Sequence, residues 1–202
     1  RGTLGDPDDN DLQNPRVSPD GRRVVVSRTV QSNADVWLLD GARMSRFTFD
    51  AAIDRWPAWS PDGTWLVFSS TRTGGGDLYQ KRTSGAGVEE RLVTSSQLKV
   101  PTTWPAAGGF LLFHSNDPQT GADLWVLPMG GDHTPSVFLK TPFREVNGVF
   151  SPDGRWVAYM SNESGRMEIY VRPFVSPGTA GAVERAIRFG LAVGAKVARS
   201  ND

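Results

Sequence analysis

Ser60-Pro61-Asp62-Gly63 stands between two aromatic, β-prone runs, Trp56 to Trp59 before it and Trp65 to Ser70 after it. Proline presets φ at the first central turn position, aspartate suits the second, and glycine accepts positive φ where the chain re-enters a strand, so the tetrapeptide reads as a tight hairpin. The same tetrapeptide recurs as Ser18-Pro19-Asp20-Gly21 and as Ser151-Pro152-Asp153-Gly154. A degraded copy, Trp104-Pro105-Ala106-Ala107-Gly108-Gly109, fills the gap between the second and third copies, and Phe110-Leu111-Leu112-Phe113 follows it as the next apolar run.

Downstream of each turn comes an acidic-apolar-aromatic triplet: Asp35-Val36-Trp37, Asp77-Leu78-Tyr79, Asp123-Leu124-Trp125 and Glu168-Ile169-Tyr170. Their spacings are 42, 46 and 45 residues. Two independent markers with one period are the signature of a repeat array. A fourth strand per period is suggested by Ser45 to Thr48, Arg91 to Thr94 and Ser136 to Leu139. Four short strands in about 45 residues match one blade of a β-propeller. The predicted fold is therefore all-β, a propeller-type array of four four-stranded blades, partial or completed by oligomerisation. The blades fall at residues 1–49, 50–95, 96–141 and 142–174, and residues 175–202 form an atypical Gly/Ala-rich tail, flexible or completing the last blade. Arg1 to Leu4 stand where a preceding blade's outer strand would fall, either a strand that completes the last blade and closes the ring or the remnant of a truncated blade. In Trp65-Leu66-Val67-Phe68 and Trp156-Val157-Ala158-Tyr159 both alternating faces are apolar, which predicts sheets covered on both sides by neighbouring blades.

Composition narrows the function. The charges balance at 22 Lys plus Arg against 22 Asp plus Glu, so no global field favours nucleic acid or an anionic membrane. No apolar run approaches the roughly 18 residues of a membrane span, and no membrane insertion is expected. With no cysteine there is no disulfide framework, thiolate site or cysteine nucleophile. His114 and His133 lack a metal-type companion, Asp117, Asp123 and Asp132 lack EF-hand spacing, and no metal or cofactor is expected. No Gly-x-Ser-x-Gly elbow, phosphate loop or kinase signature occurs, so the chain reads as noncatalytic.

The markers resemble those of the TolB-like propeller repeats, most closely in Val157 to Gly165 and Glu168 to Val171, across roughly residues 14 to 174. The run Glu168 to Phe174 is similar to propellers appended to bacterial serine/threonine kinases. The resemblance implies a module for protein or peptide binding, in a periplasmic or other extracytoplasmic setting. Its alternative implication is an accessory propeller of a serine peptidase or other hydrolase, with catalysis in a separate domain. Residues that recur in every blade, the turn aspartates and the triplet acids, are expected to be structural. The ligand face of a propeller is built from the connections entering each inner strand and those joining the second and third strands. Here they carry Asp54, Arg55, Arg72, Asn116, Asp117, Arg144, Glu145, Asn162 and Glu163, a mixed-charge set suited to a protein or peptide surface. Apolar faces left open on the terminal blades would favour a homo-oligomer.

Overall fold

The computed structural model describes residues 9–176 and the short strand Ile187–Phe189. These residues form sixteen strands and no helix, so none is long and apolar enough to cross a membrane. The first sheet holds β1 (Asp11–Val17), β2 (Arg23–Val30), β3 (Asn33–Asp40) and β4 (Arg43–Arg46), in that order. The second holds β5 (Asp54–Trp59), β6 (Trp65–Ser70), β7 (Asp77–Arg82) and β8 (Glu90–Val93). The third holds β9 (Lys99–Thr103), β10 (Phe110–Asp117), β11 (Gly121–Pro128) and β12 (Ser136–Leu139). The fourth holds β13 (Glu145–Phe150), β14 (Trp156–Ser161), β15 (Glu168–Pro173) and β16 (Ile187–Phe189). Every sheet is an antiparallel meander, and the four are arranged as the blades of a four-blade propeller. The innermost strands pack in succession, β1 on β5, β5 on β9 and β9 on β13.

The tail beyond residue 174 supplies β16, which pairs with β15 through Ile169↔Phe189 and Val171↔Ile187 and takes the outer position of the last blade. Apart from Val175 and Ser176, its remaining residues, and Arg1 to Leu4, lie outside the described residues.

The hairpins joining the first two strands of each blade follow from the turn chemistry. In the second blade the Ser60 hydroxyl donates to Asp62 Oδ1 at 2.5 Å, and Asp62 Oδ1 accepts the Thr64 N–H at 3.0 Å. The Trp65 N–H donates to Ser60 Oγ at 2.9 Å, and the Gly63 N–H donates to the Ser60 carbonyl at 2.9 Å. The same contacts recur around Asp20 and Asp153. Hydrogen bonds to the ionised carboxylate hold Asp20 and Asp62 below the ordinary range and Asp153 at about 2, the serine hydroxyl being the largest cause in each. Blade three has no such Ser-Asp pair. Its turn closes through Gly108 N–H to the Pro105 carbonyl, with Gly108 and Gly109 at φ 69° and 79°.

Three apolar clusters glue the blades, each built from both neighbours. Val25, Val36 and Phe47 of the first blade meet Trp59, Leu66, Phe68 and Tyr79 of the second. Ala58, Val67 and Leu78 meet Leu111, Phe113 and Leu127, and Leu112, Leu124 and Val126 meet Phe150, Val157, Tyr159 and Tyr170. Each fully buried leucine in these clusters is worth roughly 1.5–3 kcal/mol of transfer free energy. The expectation of two covered faces holds for β6, whose residues from Leu66 to Ser70 are all buried. It fails for β14, where burial alternates and Trp156 is 39 % exposed. The exposed side of this blade also carries Val149 and Ile169, and among the described residues no further sheet stacks against it.

Candidate functional site

Each inner strand breaks its register with the second strand at a bulge, and in all but β9 a residue there has a left-handed backbone: Asn14 (φ 55°), Trp56 (φ 54°) and Asn147 (φ 54°). Asparagine tolerates that conformation, whereas for tryptophan it is strained. Trp56 is held there by its N–H, which donates to Ser27 Oγ of the first blade at 3.1 Å. Bulges re-aim side chains, and these three point into one cavity of about 290 Å³ on the axis of the array. Blade three contributes Val100, Pro101, His114 and Asn116 to the same cavity, blade one adds Arg16, and Arg144 enters from the connection into β13.

The lining mixes polar and apolar side chains and carries one sign of charge. It contains two arginines and a histidine and no carboxylate. Among the described residues neither Arg16 nor Arg144 has a carboxylate within ion-pair distance, although Arg46, Arg72, Arg155 and Arg166 each do. Backbone contacts fix both arginines. The Trp59 indole N–H donates to the Arg16 carbonyl at 3.0 Å, and the Arg144 N–H donates to Asn162 Oδ1 at 2.8 Å. His114 is 8 % exposed, and its Nδ1 and the Oδ1 of Asn14 are buried with no hydrogen-bond partner. Burial, and then the nearby Arg144 charge, pull the His114 pKa down to about 4, so the ring is neutral at pH 7.

The residues singled out in the sequence divide into two groups. Asn116 and Arg144 line the cavity, and Asn162 braces Arg144 from behind. The others belong to blade junctions or turns. Asp54 is fully buried and accepts the Arg72 guanidinium at 3.2 Å, while Arg72 also holds Glu89 at 2.5 Å. Burial, the largest influence on Asp54, raises its pKa despite Ser70 and Arg72. Glu145 is buried against the Thr141 and Ser161 hydroxyls, and burial raises its pKa, with the Asp123 charge adding to the rise. Asp117 caps its own turn through the Gln119 N–H and holds Lys140 at 2.6 Å. Arg55 pairs with Ser69 in the sheet and leaves its Nε buried without a partner, and Glu163 donates its backbone N–H to Ser161 Oγ. The triplet acids Asp35, Asp77, Asp123 and Glu168 are all buried, bonded to Arg46, Lys99, Thr120 and Arg166 respectively.

A larger, shallower depression of about 560 Å³ lies between the turn of blade two and the degraded turn of blade three. Its charged lining residue, Asp62, is already committed to the turn. No group of three His, Asp or Glu side chains converges as a metal set among the described residues. Among the described residues neither histidine has a hydrogen bond to a serine or a carboxylate: His133 Nδ1 contacts the Pro128 carbonyl at 2.9 Å, and His114 Nδ1 has no partner.

The family model described as the TolB beta propeller domain matches residues 9–122. The chain belongs to the TolB β-propeller family. A Tol-Pal system protein TolB from Desulfosudis oleivorans is 37 % identical over 59 residues, which is 28 % of this chain and 14 % of that protein. The solved structure of a putative TolB from Agrobacterium tumefaciens superimposes with a TM-score of 0.70 at 19 % identity, over 79 % of this chain and 60 % of that one. A puromycin-hydrolysing peptidase of Mycobacterium tuberculosis superimposes with a TM-score of 0.67 at 16 % identity, over 89 % of this chain and 32 % of the peptidase. At these identities the likeness speaks for the fold alone. The chain thus spans less than two thirds of each of these relatives.

Asn14, Arg16, Trp56, His114 and Asn147 of this TolB-family chain's cavity escaped the sequence reading of the ligand face, because they lie inside strands and not in connections. A signal for three of them existed. Asn14, Trp56 and Asn147 each stand four residues before the serine of an intact turn, Ser18, Ser60 and Ser151.

Proposed function

We propose that these blades form a noncatalytic module that binds an extended peptide or a protein segment at the axial cavity. The observation that carries this reading is the cavity itself, to which all four blades contribute side chains and which offers polar groups without a nucleophile-base pair. Family membership supports it, since the curated relative is a component of a Tol-Pal system, an assembly of proteins by its name. The test combines a fluorophosphonate probe with a randomised tetrapeptide library passed over the immobilised chain. Peptides recovered at unchanged mass, with the protein unlabelled, are the expected result. Covalent labelling, cleaved peptides or no retention would overturn the reading.

The peptidase structures favour a second reading, in which the blades screen substrate for a hydrolase domain. The genomic reading frame around these blades decides between the two. A hydrolase domain encoded with them selects the second.

A further inference from the structure

Resting on the peptide-binding reading, we infer that the axial cavity takes the free carboxylate end of a peptide, with Arg16 and Arg144 as its anchors. The chain carries no net charge, so the positive lining is a local feature and not a by-product of a basic protein. Other arginines have partners in the chain itself, as Arg72 faces Asp54 and Glu89, while Arg23, Arg82 and Arg172 lie over aromatic rings. Here two arginines line one cavity with no carboxylate in its lining, which leaves both charges open to an anionic ligand. A guanidinium presents a planar fork of donors that matches a carboxylate with two parallel hydrogen bonds.

The neutral groups narrow the ligand further. Asn14 Oδ1 is a buried acceptor without a donor, and a simple anion has no N–H to offer it. A peptide N–H satisfies it, and unmet acceptors of this kind are costly to leave. Asn116 and Asn147, also in the lining, present amides that pair with main-chain N–H and C=O groups, and Trp56 supplies an aromatic wall for a side chain. A cavity of about 290 Å³ is at the small end of ligand sites, which suits a chain end and excludes a folded element.

The experiment uses two tetrapeptide libraries of the same composition, one with free C-terminal carboxylates and one amidated, passed over the immobilised chain and read by mass spectrometry. Free-acid peptides should be retained about tenfold better or more, the loss expected when a charge-assisted hydrogen bond goes missing. The Arg16→Gln/Arg144→Gln double variant, with both changes at exposed positions, should melt as the parent does and lose the preference. Asn14→Asp, which keeps a residue tolerant of the left-handed backbone and brings in a negative charge, should weaken free-acid binding without the double change. Equal retention of the two libraries overturns the carboxylate anchor and leaves the peptide-binding reading standing, whereas no retention of either overturns both. A preference that survives in the double variant places the anchor elsewhere and overturns the inference. Displacement of bound peptides by succinate or inorganic phosphate at matched concentration assigns the cavity to a free anion and likewise overturns it.

Discussion

His114 shows what burial does to a single side chain of the site. An imidazole that is 8 % exposed has lost most of its hydration, and the Arg144 charge nearby further disfavours the protonated form, so its pKa falls from 6.5 to about 4. Between those two values the unfolded chain binds a proton that the folded chain refuses. Stability therefore rises with pH through this window and is lost as pH falls from about 6.5 to 4, by an amount on the order of 3 kcal/mol for a shift of this size. Glu145 acts with the opposite sign. Its pKa is raised, so its favourable contribution belongs to low pH and fades as pH climbs through the folded value. Because such other groups titrate in parent and variant alike, the comparison isolates the histidine: His114→Asn should show a visibly flatter dependence of melting temperature on pH between 4 and 6.5. Circular-dichroism melts across that range check it, and superimposable pH profiles of the two proteins would remove the buried neutral histidine from the account.

At the scale of strands and turns, the hairpins were open to reading because their causes are local. Pro61, Asp62 and Gly63 carry the turn within four residues, and the Ser60 and Asp62 side chains bond to the same turn. The bulges that shape the cavity were hidden for the converse reason. No glycine marks Trp56, whose positive φ is imposed from another blade through Ser27 Oγ, a contact 29 residues away in sequence. The acids at the starts of β5 and β13 were placed on the ligand face because they follow connections, yet Asp54 and Glu145 turn inward to the blade junctions. Distance from a loop in sequence did not reveal that direction. Gly148 in β13 has a similar long-range cause. A Cβ there would sit 2.6 Å from Leu112 Cδ2 and 3.1 Å from Leu124 Cδ2, so glycine is what lets blade four approach blade three. Gly148→Ala should destabilise the chain by roughly 1–3 kcal/mol, the range for overpacking a tight core. Urea titration measures this, and an unchanged midpoint would mean that the two leucines move aside freely.

Across the whole array the same junction is solved with different chemistry at each boundary. Between the first two blades Asp35 is met by Arg46 and Thr48, and Asp54 by Arg72; between the last two, Asp123 and Glu145 lean on Thr120, Thr141 and Lys140. Among the described residues the middle boundary alone of these three has a direct ion pair between blades, Asp77 Oδ1 to Lys99 Nζ at 3.0 Å, with both side chains at most 2 % exposed. Burial pushes the Asp77 pKa upward, but the Thr73 hydroxyl, Lys99 and the Ser95 N–H outweigh it, leaving the carboxyl below its ordinary value. Lys99 also donates to the Ser95 and Gln97 carbonyls, so its loss strands one carboxylate and two backbone acceptors. Removing one member of a buried pair costs about 3–5 kcal/mol, because the remaining charge has no water to turn to. Lys99→Met should therefore lower the urea midpoint far more than Lys140→Met, whose ammonium is 42 % exposed and whose pair with Asp117 is screened by water. Asp77→Asn combined with Lys99→Met removes both charges together and should recover part of the loss, giving a coupling that a double-mutant cycle reads directly. Additive effects in that cycle, or equal effects of the two lysine substitutions, would show that blades two and three are joined by their apolar cluster and owe nothing to the charge pair.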